Sequence, residues 1–465
     1  MNNTRIESDS IGNLAVPMSS YYGVQALRAS RNFKITGRPM NEEFLTNLAI
    51  IKKAAAIVNN RAGLLKTGIA NAIISAADEV ISGKYTDQFI VDAVQGGAGT
   101  SANMNMNEVI ANRAGELLGG ELGSYDLVHP NDHVNMAQST NDVIPTAGKM
   151  TVISLSKELL SELDKLRNAL TKKSLEFQNV IKMGRTQLQD AVPMTLGESF
   201  AGYASMIDRC TNRIKKAELE MHEVNLGGTA IGSGIDASLY YESKIVPTLA
   251  ELFKEDLVQA EDLFDSTQNL DSFVEFSGSL KALAVSLSKM CNDLRLLSSG
   301  PRCGLHEINL PAKQNGSSIM PGKVNPVIPE VVTQAAFLVI GHDTTIAMAA
   351  EAGQLELNAF EPVVFYQLFE SIEVLTGAIK TLRENCITGI TPNIDHCKEL
   401  EENSVGIVTA LCPYIGYKKA ASIAKQALKE NRSVKEIVLE YKLMEEAPLT
   451  KLLDPRSMIS FKTKR

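Results

Sequence analysis

Between Lys149 and Met183 neither glycine nor proline occurs, and Val152, Leu155, Leu159, Leu163, Leu166 and Leu170 recur at steps of three or four. Lysine, glutamate, aspartate and serine fill the positions between them. That spacing predicts one buried stripe of an amphipathic helix, far longer than the ~12-residue average. A second window runs from Thr248 to Ser299, broken only by Gly278, with Leu280, Leu283, Leu287, Met290, Leu294 and Leu297 on its apolar face. A third begins at Pro362, a first-turn proline, and continues through Phe365, Phe369, Ile372 and Leu375 to about Leu382. Stretches 195–223 and 328–350 have the same period. Strand-type alternation is scarce outside short pieces near the ends.

Helices of this length must bury their stripes along the whole length, which predicts a mainly α chain built on an elongated bundle. The bundle is expected over 140–394. A mixed, helical and loop-bearing domain (1–139) precedes it, and a small helical domain (395–465) follows. Small residues interrupt several stripes, as in AFLVIGHDTTIAMAAEAG, so some helices pack on all sides. Apolar contact on that scale predicts a core completed by further copies of the chain.

Composition narrows the setting. A chain of 465 residues has room for two to four domains, and 44% hydrophobic with 22% charged residues is a globular balance. The net charge of −8 gives no footing for a polyanion, and no basic patch alternates with aromatics, so nucleic-acid binding is not expected. Six cysteines without a CxxC pair read as reduced thiols. The opening MNNTRIESDSIG lacks the order of a signal peptide, and no apolar run approaches the ~18 residues of a membrane span. A cytoplasmic protein without membrane contact is expected. Tryptophan is absent and aromatics make up 5%, leaving aliphatic residues and methionine to build the core.

Four polar, glycine-containing segments break the helical pattern: QGGAGTSANMNMNE (95–108), HPNDHVNMAQSTND (129–142), MGRTQLQDAVP (183–193) and QNGSSIMPGKVNP (314–326). Their hydroxyls and amides, with Arg185 and Lys323 as cations, suit directed binding of carboxylates without a metal. Any one of them alone reads better as capping and turn chemistry, and four in one helical chain weaken that reading. His129 and His133 have the spacing of helical metal ligands, but Pro130 intervenes and no third ligand is near, so hydrogen-bonded or exposed histidines are the better reading. No GxxxxGK[ST] or GxGxxG motif occurs. Lys323 has no phosphate cup or pyridinium partner beside it that would suit pyridoxal phosphate. An Ala-Ser-Gly triplet, the source of the self-cyclised electrophile of another helical ammonia-lyase class, is also absent.

GSSIMPGKVNP (316–326) matches G-S-x-x-M-P-x-K-x-N throughout and resembles the signature loop of the fumarase/aspartase superfamily. GGAGTSANMNMNE, QSTND and GRTQLQDAVP resemble that family's other active-site stretches, in order and spacing, and the likeness runs from YYGVQALRA through nearly the whole chain. It implies three domains and a homotetramer with a twenty-helix core, each active site shared by three subunits. Gln187 where fumarases carry histidine, Thr140 in QSTND, the YYGVQALRASRNF segment and Glu361 in ELNAFEPV resemble the aspartase branch rather than the fumarase branch.

What the resemblance implies for chemistry is deamination of L-aspartate to fumarate and ammonia without cofactor or metal, by loss of a Cβ proton through an enediolate. Ser317 would be the base. Thr100, Ser139, Thr140, Asn141, Thr186, Gln187, Ser318, Lys323 and Asn325 would bind the substrate. A serine hydroxyl is far too weak a base unless backbone donors and positive charge lower its pKa. Gln187 offers no titrating proton, which disfavours expulsion of hydroxide. Fumarate hydration is the alternative activity, and a catalytically idle scaffold, as in lens proteins of this fold, the alternative class.

Overall fold

A computed structural model describes residues 3–454. Residues 1–2 and 455–465, at the outer ends of the expected 1–139 and 395–465 domains, lie outside the described residues. The fold is mainly α. A β-hairpin, β1 (Thr4–Asp9) and β2 (Gly12–Pro17), leads into α1 (Val24–Asn32), α2 (Glu42–Arg61), α3 (Thr67–Ile81) and α4 (Thr100–Leu117). The 37-residue α5 (Thr140–Glu176) follows, then a second hairpin, β3 (Ile181–Thr186) and β4 (Gln189–Thr195), and α6 (Leu196–Glu218). Next come α7 (Leu239–Phe253), α8 (Leu263–Gln268), α9 (Asp271–Leu297), α10 (Val327–Glu351) and α11 (Glu361–Asn385). Short helices α12 (Ile394–Glu402), α13 (Cys412–Ile415), α14 (Tyr417–Glu430), α15 (Val434–Glu440) and α16 (Glu446–Leu452) close the described chain.

Two compact units result, each drawn from three stretches. One comprises Met1–Ser161, Cys210–Ala284 and Phe337–Thr376, the other Glu162–Arg209, Val285–Ala336 and Gly377–Arg465. Inside the first, α2 buries Leu48, Ile51, Ala55 and Val58, α5 buries Val143, Ile144 and Ala147, and Phe44 meets Phe365 and Phe369 at ring separations of 5.9 and 5.8 Å. Inside the second, Leu163, Leu166 and Leu170 of α5 and Leu287, Met290 and Leu294 of α9 are all fully buried. The C-terminal helices of that unit form a further cluster around Met183, with Ile407, Leu411, Ile423, Val438 and Leu449. It anchors the foot of the β3–β4 hairpin.

The stripes hold, and the element ends depart from the pattern. In α5, Val152, Leu159, Leu163, Leu166 and Leu170 are buried and Leu155 is half-buried. The helix begins earlier than the gap in glycine and proline suggested, running through Pro145. That proline has no N–H to offer the carbonyl of Asn141, and Asn225 Nδ2 donates to it instead, at 3.0 Å. The helix also stops at Glu176, and β3 occupies the end of the Lys149–Met183 window. A hairpin in mid-chain was not expected. Its partner strand passes into α6 through a reciprocal cap: Thr195 N–H donates to Glu198 Oε2 (2.8 Å) and Glu198 N–H to Thr195 Oγ1 (3.1 Å). The Thr248–Ser299 window is corrected likewise, being α7, a strand at Val258–Gln259, α8 and α9 in succession. No glycine or proline marks those breaks; Asp262 does, capping α8 by accepting from the N–H groups of Phe264 and Asp265.

One expectation about membranes needs amendment. α10 is, by length and composition, apolar enough to cross a bilayer, although no uninterrupted apolar run occurs in it. Its alanines and valines raise the average while polar side chains sit among them. Two of those are engaged within the first unit: Asp343 pairs with Lys281 and accepts from Ser277, and His342 Nδ1 lies 3.0 Å from Ser371 Oγ.

Candidate active site

Four segments carry the expected site residues, and they divide between the two units. In the first unit, Thr100 opens α4 and is exposed, while Ser139, Thr140 and Asn141 lie at the start of α5 and are half-buried. Gly99, just before Thr100, has φ +86°, and a Cβ there would lie 2.9 Å from the Ile144 side chain. Only glycine lets α4 begin against α5 at this point.

The start of α5 is held from two sides. Asp142, fully buried, accepts from the N–H groups of Ser139 (2.9 Å), Gly227 (3.0 Å) and Thr229 (3.1 Å). On the other side the Lys52 ammonium, also fully buried, donates to Asn103 Oδ1 (2.7 Å), Asn135 Oδ1 (2.9 Å) and Gln138 Oε1 (2.9 Å). Burial disfavours both charges, pushing Lys52 down to about 7 and Asp142 up to about 6, while their mutual attraction works against both shifts. Asn103 Nδ2 donates to Thr140 Oγ1 at 3.3 Å, and Asn141 Nδ2 to the carbonyl of Ala230 at 2.7 Å. Asn141 N–H donates to Ser139 Oγ at 3.3 Å. With these donors spent inward, Ser139 and Thr140 keep a hydroxyl proton to give, and Asn141 keeps its Oδ1 as an acceptor.

In the second unit, Thr186 and Gln187 sit at the exposed tip of the β3–β4 hairpin. Gln187 (φ +53°) and Leu188 (φ +63°) are both left-handed, as a two-residue type I′ turn requires, yet neither is glycine or asparagine. The strain is borne by a firm base. Glu307, with no exposure, pairs with Arg185 (2.7 Å) and Lys182 (3.1 Å). Arg185, expected as a cation for substrate, is therefore committed to Glu307, whose buried charge needs it.

The signature segment forms an exposed loop before α10. Its neck closes tightly: Gly316 N–H donates to the Lys323 carbonyl (2.8 Å), and Asn325 Nδ2 donates to the Gly316 carbonyl (2.8 Å). A Cβ on Gly316 would fall 2.6 Å from that same Lys323 oxygen. Within the loop, Ser317 Oγ accepts from the backbone N–H groups of Ile319 (3.2 Å) and Met320 (3.1 Å). Two such donors favour the alkoxide over the hydroxyl. Ser318 and Lys323 are exposed.

His129 and His133 are hydrogen-bonded rather than free. His129 Nδ1 caps a short π-helical turn, Pro130–Val134, and His133 Nδ1 accepts from His129 N–H at 2.9 Å. Among the described residues no group of three or more His, Cys, Asp or Glu side chains is placed to hold a metal ion. A cavity of about 560 Å³ in the first unit, lined by Arg38, Phe44, Gln95, Gly99, Phe365 and Glu370 among others, contains none of the expected site residues. Its arginine is paired with Glu370 at 2.8 Å.

Comparison with known proteins identifies the family. A family model described as Lyase matches residues 12–341, and one described as Fumarase C C-terminus matches residues 407–460. The chain belongs to the fumarase/aspartase family of lyases. Aspartate ammonia-lyase of Helicobacter pylori (strain ATCC 700392 / 26695) is 53% identical over 458 residues, 98% of each chain. Among solved structures of the family, fumarate lyase:delta crystallin from Brucella melitensis, bound to cobalt, superposes with a TM-score of 0.95 at 48% identity, covering 98% of this chain and 99% of that one. Recombinant class II fumarase from Schistosoma mansoni gives 0.94 at 35% identity, with the same coverage.

Several residues that support the candidate site segments escaped the sequence reading. Lys52, Asn225 and Glu307 lie far along the chain from the segments they support. A faint signal existed for Lys52, since Leu48, Lys52, Ala55 and Asn59 share one helical face and all four are buried.

Proposed function

We propose that this chain is an aspartate ammonia-lyase, converting L-aspartate reversibly to fumarate and ammonia. The observation that carries the mechanism is Ser317 Oγ under two backbone N–H donors. Ser317, as alkoxide, takes the Cβ proton, and the electron pair spreads into the adjacent carboxylate as an enediolate. Collapse of the enediolate forms the double bond and expels the amine from Cα.

Donors aimed at the developing charge supply most of the needed stabilisation. Thr100, Ser139, Thr140 and Ser318 offer hydroxyls to the enediolate. Lys323 gives a fixed cation to a carboxylate, and Thr186 and Asn325 add polar contacts. Asn141 Oδ1, left free by the bond to Ala230, suits the substrate ammonium, as does the side-chain oxygen of Gln187. A neutral amide here cannot protonate a leaving hydroxide. That chemistry, with 53% identity to an aspartate ammonia-lyase against 35% to a fumarase, favours ammonia loss over hydration.

The reaction uses no organic cofactor and no bound metal. The working form is a cytoplasmic homotetramer of three-domain chains (1–139, 140–394 and 395–465), their long helices forming a twenty-helix core and three subunits contributing to each site. Exposed Phe337, Leu338 and Met348 on α10 support burial by neighbouring copies. Ser317→Ala is the test. It should lower kcat on aspartate by several orders of magnitude while changing succinate affinity only a few-fold, since one neutral hydrogen bond is worth about 1 kcal/mol. Near-normal kcat in the variant would place the base elsewhere.

A further inference from the structure

The ammonium of Lys52 faces three amide oxygens and bonds to none of the expected substrate-binding side chains itself. An ammonium only donates, so the Asn103 group at 2.7 Å must be its carbonyl oxygen. The Asn103 amino group is thereby turned the other way. Its two N–H bonds go to Asn135 Oδ1 (3.1 Å) and Thr140 Oγ1 (3.3 Å). Asn135 Oδ1 also accepts from Lys52 and from Asn107 Nδ2 (3.2 Å), so its own orientation is fixed by the same centre. Asn103 is 1% exposed and Lys52 0%, so water does not compete for these bonds.

Thr140 then has an oxygen that already accepts and a proton that meets no acceptor among the described residues. We infer that Lys52 is a positioning residue: by fixing the Asn103 amide it sets the polarity of the Thr140 hydroxyl, leaving its proton to donate to a substrate carboxylate. Preset polarity spares the hydroxyl a choice when charge develops on the carboxylate, which is the condition for electrostatic preorganisation. Asp142 is the charged group that balances Lys52 in this interior, and it holds the opposite side of the same turn. The inference rests on the reading of Thr140 as a substrate contact.

Double-mutant cycles on the full-length protein separate the two claims, with succinate as the probe and its Kd as the readout. Thr140→Val removes the hydroxyl and should weaken succinate roughly tenfold or more, as expected for a hydrogen bond to a charged group. Thr140→Ser, which keeps the hydroxyl, should restore most of that loss. Lys52→Met removes one donor from each of three oxygens and endangers the fold, so Asn103→Asp runs beside it. That substitution keeps the shape and the bond to Lys52 but presents an acceptor to Thr140, turning its proton inward. Each folded variant should weaken succinate by itself, and adding Thr140→Val should cost less than about twofold more, because the hydroxyl is already lost to the substrate. Losses that multiply in either folded cycle, or a folded Asn103→Asp variant with unchanged Kd, would overturn the inference while leaving Thr140 as a contact. An unchanged Kd in Thr140→Val alone would instead remove the substrate contact, and the positioning role with it.

Discussion

Glu361 has a fully buried carboxyl group with no hydrogen-bond partner on either oxygen among the described residues, and burial raises its pKa well above the usual carboxylate range. Burial therefore favours its neutral form in the fold. In the unfolded chain it ionises near pH 4.3, so the native state binds the extra proton above that point. Stability from this residue is complete below about pH 4 and drains away as pH rises, by about 1.4 kcal/mol per unit until the folded pKa is reached. Glu361→Gln, neutral at every pH, should cancel that slope. Thermal melts of both proteins across the pH range check it: parallel Tm curves would show that the carboxyl group is not held neutral.

The residues that face substrate in the proposed mechanism were legible because their chemistry is local. Ser317, Lys323 and Asn325 fall within one loop, and Ser139, Thr140 and Asn141 within one turn, so short motifs that resemble those of the family single them out. Their supports were not legible. Lys52 meets Asn103 and Asn135 only after three helical segments have packed, and no periodicity in the chain records such a meeting. Arg185 shows the same limit from the other side. Its charge suggested substrate binding until the fold supplied Glu307, more than a hundred residues away.

At the scale of elements, apolar stripes proved dependable and boundaries did not. The faces of α5, α9 and α11 follow directly from the 3.6-residue period, since burying a stripe is what stabilises a helix. Boundaries depend on capping and on tertiary hydrogen bonds. Asn225 carries α5 past Pro145, and Asp262 starts α8 where neither glycine nor proline marks a break. The β3–β4 hairpin was missed because a positive-φ turn made of glutamine and leucine lacks the usual Asn-Gly signal. It persists because Glu307 and the Met183 cluster hold its base. Glu307→Ala should accordingly leave Lys182 and Arg185 as uncompensated buried charges and cost about 3 kcal/mol or more. Denaturant titration measures this loss; a change below 1 kcal/mol would mean that the pair is not what secures the hairpin.

At the scale of the whole molecule, the helix faces leave apolar surface that one chain does not cover. Phe337 is 62% exposed and Met348 67% exposed on a helix otherwise rich in alanine and valine. Light scattering should report about four times the 50.4 kDa chain mass. A fully active monomer would contradict sites shared between subunits. The mainly α class was readable from the sequence because long stripes permit few other architectures. The division of the chain into two compact units was not, because each unit gathers three separated stretches.

The central claim is loss of ammonia from aspartate, and the formation of fumarate from each of two substrates tests it most directly. Purified protein, with no cofactor added, is given L-aspartate in one cuvette and L-malate in another, and fumarate absorbance is followed. The proposed roles of Ser317, Asn141 and Gln187 predict steady fumarate release from aspartate, matched by ammonia, and little signal from malate. Rapid fumarate formation from malate with none from aspartate would contradict it.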